Sequence, residues 1–249
     1  MPPSAKEPPW PSTAPEAWEA GERVAARAGC DLASLSASIG ERAVGLGTKQ
    51  AQALRYSLWE DIASEYDARF LGAWLAGLDI EYSAPFQSAS AVWEQDELGH
   101  HACSKRAFVA AFGGEGDLDR RLALRRPDFA PLASFFVDEF TILCLLAYDE
   151  LATVRAYRAN LPLYAHLGRP FLRLMHRIMA DEARHYASFL SVARTEHAAR
   201  APEAAGVIAR LRAAGVPYAA TFVLDHDDPV FTPKLLDETA ATLCAQLAG

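Results

Sequence analysis

The residues best suited to metal chemistry in this chain form two Glu-x-x-His motifs. Glu97 and His100 make the first motif, and Glu182 and His185 make the second. On a helix, residues three apart project from one face, so a carboxylate and an imidazole on adjacent turns can bind the same metal ion. The seventeen Glu and seven His of the chain would give about 0.5 such pairs by chance. Two pairs within long helical patterns therefore predict a metal site.

A dinuclear carboxylate site needs one further Glu from each of two other helices. Glu60 precedes the first motif, and Glu150 lies between the two motifs. Small residues share the helix face of Glu60 and leave room beside its carboxylate. Asp61 and Glu65 are rivals for the inward position, but they lie on other faces than the one favoured. We therefore predict that Glu60 and Glu150 complete a site for iron or manganese.

The competing interpretation of each acidic residue is a solvated helix face, and that of each His is a surface or satisfied core histidine. Taken together, the four predicted Glu ligands fall near the middle of four separate helical patterns. Apolar side chains such as Trp93, Phe136 and Ile178 flank them at helical spacing. Charges on such faces are costly unless they are paired or bound to metal. The metal interpretation is therefore favoured.

Four long helical patterns must position these side chains. They span about 48–75, 85–112, 131–160 and 170–197, and no strand-like alternation of any length occurs. The link between the first two patterns is short, which predicts that these two helices are antiparallel neighbours. The charged connection at 114–129 is long enough to cross along the bundle, as in ferritin-like topologies.

The predicted fold class is all-α: a ferritin-like four-helix bundle with additional helices at both ends. Residues 1–16 are rich in Pro and are predicted to form a flexible arm. Residues 17–249 are predicted to form a single domain whose bundle core covers about 48–198. The helices outside the bundle are expected at about 18–38, at 201–215 and after Thr232-Pro233.

Composition bounds the function. A net charge of −8 argues against nucleic-acid binding. The four Cys are scattered with no Cys-x-x-Cys, which favours a reduced, cytoplasmic protein. No apolar run approaches the roughly 20 residues of a membrane span, and the Pro-rich start is unlike a signal peptide.

The order Glu, Glu-x-x-His, Glu, Glu-x-x-His resembles the ferritin-like di-iron carboxylate proteins, and within them the soluble acyl-(acyl carrier protein) desaturases. As in that family, Trp93 stands four residues before Glu97, Asp-Glu-x-Arg-His occurs at 181–185, and a ligand Glu followed by Ala-Thr is matched at 150–153. Separations of 37, 53 and 32 residues between the predicted ligand glutamates are also close to the family pattern. The resemblance covers roughly 50–195.

The resemblance implies two iron ions, with a Mn/Fe pair left open, held by six ligands: Glu60, Glu97, His100, Glu150, Glu182 and His185. It implies that the Thr153 hydroxyl relays a proton on the oxygen-binding face and that Asp181 orients a ligand imidazole. The alternatives are a helix Thr bonded back to a carbonyl and a solvated Asp.

The function so implied is an oxygen-dependent di-iron oxidase that attacks an unactivated C–H site of an acyl or other apolar substrate. An external electron donor such as a ferredoxin would reduce it, and the family expectation is a homodimer. A basic cluster can dock an acidic acyl carrier protein or only solubilise the crossover. Its members are Lys105, Arg106, Arg120, Arg121, Arg125 and Arg126.

Two other functions stay open at this stage. One is a tailoring oxygenase that hydroxylates or N-oxygenates a small metabolite. Its N-oxygenase branch adds a His one turn before the final motif, where this chain has Ile178. The other is an iron-storage or ferroxidase protein, although the Pro-rich arm and extra helices are unlike a shell subunit. The ligand set does not fix the metal, so a manganese/iron radical or ligand-binding oxidase also fits.

Overall fold

The computed structural model describes residues 21–24, 31–213 and 229–249. Within these ranges every regular element is helical and there is no strand, so the all-α prediction is confirmed. From residue 31 onward the α-helices are α1 (Leu32–Ala43), α2 (Thr48–Ala76), α3 (Ala84–Phe112), α4 (Glu115–Ala123), α5 (Glu139–Tyr164), α6 (Arg169–Glu196), α7 (Ala204–Ala213) and α8 (Pro233–Ala248). Short 3-10 helices cover Ala130–Phe135, Ala165–Leu167 and Ala198–Glu203.

Two hairpins of long helices form the centre of the bundle. Helix α2 packs along α3, α5 packs along α6, and the hairpins meet mainly through α3 and α6. Ser83 begins α3 by accepting a hydrogen bond from the Phe86 N–H, and Pro85 occupies the first turn, where its missing N–H is not needed. The connection that carries α4 leads from the first hairpin to the second, as the charged stretch predicts.

The start of the third bundle helix differs from the prediction. Residues 130–135 form a 3-10 helix, and α5 begins only at Glu139. The Asp138 side chain accepts a hydrogen bond from the Thr141 N–H, so it satisfies a free donor of the new helix. In the sequence, Phe136 continues the apolar pattern of a helical face, but in the structure it follows the 3-10 helix. Its ring centroid lies 6.5 Å from that of Trp74 on α2.

The additional C-terminal helices cover the outside of the second hairpin, whereas α1 packs mainly against α3 of the first. Helix α8 packs against α5 and α7, and Arg155 of α5 donates hydrogen bonds to the hydroxyls of Thr239 (3.0 Å) and Thr242 (2.7 Å) on α8. At the other end, Asp31 caps α1, which runs from Leu32 to Ala43, whereas the sequence predicts a helix over about 18–38. Residues 18–20 and 25–30 of that predicted helix lie outside the described residues. The predicted 1–16 arm lies outside the described residues.

The core is continuous through the bundle. Fully buried aromatic side chains, including Phe140, Phe171 and Phe189, fill the space between the helices. None of the helices in the described ranges has the length and apolar character needed to cross a membrane. The buried polar exceptions in this core are concentrated where the four long helices face one another.

Candidate metal centre

Six acidic and imidazole side chains meet in the middle of the bundle. They are Glu65 of α2, Glu97 and His100 of α3, Glu150 of α5, and Glu182 and His185 of α6. All six are buried, with 7% or less of each residue exposed. We call this set the Glu/His cluster. Burial of so many ionisable groups is unfavourable unless they bind one another or a cation.

The cluster divides into two groups of four possible ligand atoms that lie within 4.8 Å of one another. One group, the His100 position, contains Glu65, Glu97, His100 and Glu182. The other group, the His185 position, contains Glu97, Glu150, Glu182 and His185. Two glutamates therefore belong to both groups.

The shared glutamates divide their oxygens between the two imidazoles. Glu97 places Oε2 3.9 Å from Nδ1 of His100 and Oε1 3.4 Å from Nδ1 of His185. Glu182 places Oε1 3.3 Å from Nδ1 of His100 and Oε2 3.0 Å from Nδ1 of His185. Glu97 and Glu182 would therefore each offer one carboxylate oxygen to a metal ion beside either imidazole.

The outer nitrogen of each imidazole faces an aspartate on the opposite helix. Nε2 of His100 lies 3.3 Å from Oδ2 of Asp181, and Nε2 of His185 lies 3.1 Å from Oδ2 of Asp96. Arg184 joins the two aspartates, with Nη2 2.9 Å from Asp96 and 2.7 Å from Asp181. A carboxylate that accepts a hydrogen bond from Nε2–H leaves Nδ1 as the nitrogen that would bind a metal ion in place of a proton.

The carboxylates of the cluster stabilise positive charge on its two imidazoles. Burial opposes charge on the imidazoles, but the surrounding carboxylates outweigh it and raise the pKa of His100 well above its ordinary value and that of His185 to about 11. Burial and neighbouring carboxylates raise the pKa of Glu97 and of Glu150. Burial also opposes ionisation of Glu182, yet the two imidazoles hold its pKa well below the usual range. Without a metal ion, protons on the imidazoles and on some of the carboxylates therefore offset the negative charge of the cluster.

Several buried ligand atoms of the cluster have no hydrogen-bond partner among the described residues. They are Oε2 of Glu65, Oε1 of Glu97, Nδ1 of His100 and Oε2 of Glu150. Unpaired buried acceptors are rare in proteins because each loses its hydration without compensation. Two divalent cations would satisfy all four atoms, so the residues fit a dinuclear metal site.

The structure does not bring the first predicted carboxylate into the cluster. Glu60 belongs to neither group of ligand atoms, and the α2 carboxylate that joins the cluster is Glu65. Glu60 is only half-buried and lines the cavity beside the cluster. The physical reason is rotation: five residues along a helix correspond to about 1.4 turns, so the two side chains leave α2 in different directions. With Glu65, the first separation between clustered glutamates falls from 37 to 32 residues.

The structure places the other predicted site residues in the cluster or beside it. Glu97, His100, Glu150, Glu182 and His185 come together in the cluster. Asp181 faces His100, as expected for an orienting carboxylate. Thr153, one turn from Glu150, lines the adjacent cavity. Metal binding and proton transfer by these residues remain predictions.

Sequence reasoning missed two residues around the cluster, and a signal for one of them is present. Asp96 orients His185 as Asp181 orients His100, and Asp-Glu-x-x-His occurs in both motif helices. Tyr157 of α5 donates a 2.6 Å hydrogen bond to Oε1 of Glu65. Nothing in the local sequence marks this phenol, because its partner is 92 residues away.

A cavity of about 90 Å³ reaches the cluster from the side of α2 and α5. These helices contact each other only sparsely, which leaves the opening between them. Its apolar wall consists of Ala63, Trp93, Ala156, Val230 and Phe231. Its polar wall, outside the cluster, consists of Glu60, Asp61, Ser64, Arg125, Asp149, Thr153, Tyr157 and Asn160.

Most of the predicted basic cluster has partners within the chain. Lys105 pairs with Asp119, Arg106 with Glu22, Arg120 with Asp117 and Arg125 with Asp67, while Arg121 lies over the ring of Trp59. These contacts neutralise much of the charge that would attract an acidic protein. Docking of an acyl carrier protein stays a prediction.

The chain matches no protein-family model, no curated protein and no solved structure. The geometry of the cluster and the chemistry of its residues therefore provide the evidence for function.

Proposed function

We propose that this protein is an oxygen-dependent dinuclear metal oxidoreductase of the ferritin-like di-iron type. The observation that carries the proposal is the division of the Glu97 and Glu182 oxygens between His100 and His185. Two bridging carboxylates with one imidazole on each side constitute the ligand arrangement of a carboxylate-bridged metal pair. An ordinary buried ion-pair network does not require that two carboxylates each share their oxygens between the same two imidazoles.

Two bound iron ions would supply the electrons that reduce dioxygen and the oxidising power to attack a C–H bond. The chain's own residues prepare the site. Asp96 and Asp181 hold the imidazoles with Nδ1 toward the cluster. Thr153 holds a hydroxyl proton at the cavity wall, and buried Trp93 contributes an apolar surface to the same space. An external reductant such as a ferredoxin would return the electrons.

The cavity favours a small substrate over a long acyl chain. Pockets for drug-sized ligands occupy roughly 300–1,000 Å³, whereas this cavity has about 90 Å³. Polar side chains such as Ser64, Thr153 and Asn160 interrupt its apolar wall. Hydroxylation of a small metabolite is therefore the substrate chemistry we favour, and acyl desaturation is the second candidate because of the motif resemblance.

The direct test is anaerobic loading with Fe²⁺ followed by exposure to dioxygen. We expect two iron ions per chain and an optical change on oxidation that Mössbauer spectroscopy assigns to a coupled iron pair. Glu97→Ala and Glu182→Ala should each lose iron, because each removes a donor from both positions. Glu196→Ala, an exposed residue on the same helix as Glu182, is the matched control.

Full iron content in both cluster variants would reject the proposal. Uptake of many iron ions per chain, with elution as a large cage, would assign the protein to iron storage instead. If the chain binds two iron ions, the oxidised centre can be mixed with small metabolites and with acyl thioesters. The class that accelerates its re-reduction or decay is the substrate class.

A further inference from the structure

The two positions of the cluster differ in one hydrogen bond. The phenol of Tyr157 donates to Oε1 of Glu65 at 2.6 Å, and both side chains are buried. A carboxylate bond of this length from a hydroxyl is at the short, strong end of the range. The other oxygen, Oε2, points toward Nδ1 of His100, 3.6 Å away. Tyr157 thus fixes which oxygen of Glu65 faces the His100 position.

The corresponding glutamate of the other hairpin has no such restraint. Glu150 takes the place at the His185 position that Glu65 takes at the His100 position. Its Oε2 lies 3.4 Å from Nδ1 of His185 and has no hydrogen-bond partner among the described residues. One terminal carboxylate is therefore held by a phenol, and its counterpart has an ion pair with His185 but no phenol partner.

We propose that Tyr157 is a positioning residue that holds Glu65 as a one-oxygen ligand of the His100 position, so that the two metal positions are inequivalent. This inference rests on the proposed metal site. If Tyr157 holds Glu65 in this way, a change between binding an ion through one oxygen and binding it through two is confined to Glu150. Glu150 lies beside Thr153 and the cavity. Glu65 would then hold the ion of the His100 position in one arrangement, and both terminal carboxylates, Glu65 and Glu150, line the cavity.

The chain contains a matched control for this phenol. Tyr164 lies on the same helix, seven residues after Tyr157, so both side chains face α2. Tyr164 is also buried and donates a 2.8 Å hydrogen bond to a carboxylate of α2, that of Asp61. Asp61 belongs to neither group of ligand atoms. The two tyrosines therefore differ in whether their carboxylate partner belongs to the cluster.

The experiment compares Tyr157→Phe and Tyr164→Phe by titration with Co²⁺ alone, followed by visible absorption and calorimetry. We expect the wild-type chain to bind two Co²⁺ ions. Tyr157→Phe should weaken one of them by about 10–100-fold, the usual effect of removing a group that orients a ligand, and should change the absorption bands of that ion only. Tyr164→Phe should reproduce the wild-type titration and bands.

Each other outcome has a definite meaning. A Tyr157→Phe protein with wild-type affinities and bands would overturn the positioning role. Equal perturbation by Tyr164→Phe would also overturn it, because a general packing effect would then explain both. A wild-type chain that binds no Co²⁺ would reject the proposed metal site itself. If Tyr157→Phe fails to fold by circular dichroism, Tyr157→Met removes the donor with a more adaptable side chain and gives the same readouts.

Discussion

Oδ2 of Asp96 on α3 lies 3.1 Å from Nε2 of His185 on α6, across the interface between the two hairpins. The contact is one half of a reciprocal pair, since Asp181 of α6 faces His100 of α3. Each motif helix thus supplies the carboxylate that orients the imidazole of the other. Arg184 joins the two aspartates.

We predict that Asp96→Asn and Asp181→Asn each weaken metal binding by about 10–100-fold, because the imidazole loses a charged partner that fixes its tautomer. Competition with a metal-sensitive dye measures the effect. Asp117→Asn, at an exposed position on α4, should leave affinity unchanged. Unchanged affinity in both cluster-side variants would contradict the orienting role.

Glu65→Ala and Glu60→Ala separate the two candidate ligands of α2. Glu65→Ala should reduce the metal content from two ions to one, because the His100 position loses a terminal carboxylate. Glu60→Ala should keep both ions, since Glu60 only lines the cavity. Elemental analysis after dialysis measures the stoichiometry, and the reverse result would restore Glu60 as the ligand.

Thr153→Val tests proton transfer at the cavity wall. The substitution removes a hydroxyl but keeps a branched side chain, so metal content and thermal stability should stay near wild type. Turnover should fall by about 100-fold, the lower range for loss of a positioned acid–base group. Thr195→Val, at an exposed position on α6, is the control. Wild-type turnover in Thr153→Val would leave this residue without a catalytic role.

Ala156→Leu tests whether the cavity is the substrate site. The buried methyl group of Ala156 lines the cavity, and three further carbon atoms would fill much of a 90 Å³ space. We expect two bound metal ions, a loss of stability of about 1–3 kcal/mol from overpacking, and a steep rise in KM. Ala159→Leu, exposed on the same helix, should behave as wild type. Unchanged KM in Ala156→Leu would place substrate elsewhere.

Buried His101 should make the metal-free protein sensitive to acid. Burial lowers the pKa of His101 from 6.5 to about 3, although its Nδ1 lies 3.1 Å from the carbonyl oxygen of Ile62 and that bond opposes the shift. Below pH 6.5 the unfolded chain binds a proton that the folded chain excludes. Stability is therefore lost as pH falls through this window, with a slope of about 1.4 kcal/mol per pH unit.

His101→Asn keeps a donor for the Ile62 carbonyl and removes the titration. Urea unfolding in EDTA between about pH 6 and pH 4 should give the variant a shallower pH dependence than wild type by roughly one proton. The Glu/His cluster titrates in both proteins and cancels in the comparison. Identical slopes would show that His101 does not contribute to acid sensitivity.

The helices that sequence periodicity predicts well are those whose ends depend on local signals. Pro85 in the first turn and Gly113 after the last turn bound α3 at nearly the predicted residues. The start of α5 was mispredicted because Phe136 continues an apolar pattern that tertiary packing against Trp74 uses in a different conformation. Local pattern cannot distinguish a helical face from a 3-10 turn that presents the same ring to the core.

The choice among the acidic residues of α2 depends on the other hairpin. Buried residues surround Glu65 on α2, including Ile62, Tyr66 and Ala68, so the helix has no single apolar face to select an inward carboxylate. The partner that distinguishes Glu65 is Tyr157 of α5, which becomes its neighbour only in the folded bundle. By contrast, the Glu-x-x-His pairs are fixed by helix geometry within one element and were predicted correctly as neighbours.

Each position of the cluster takes three of its donors from one hairpin and one from the other. The His100 position depends on Glu182 from the second hairpin, and the His185 position depends on Glu97 from the first. Bound ions would therefore link the two hairpins of the bundle. Removal of metal should accelerate amide hydrogen exchange first along the seam between α3 and α6, while exchange within each hairpin stays slow.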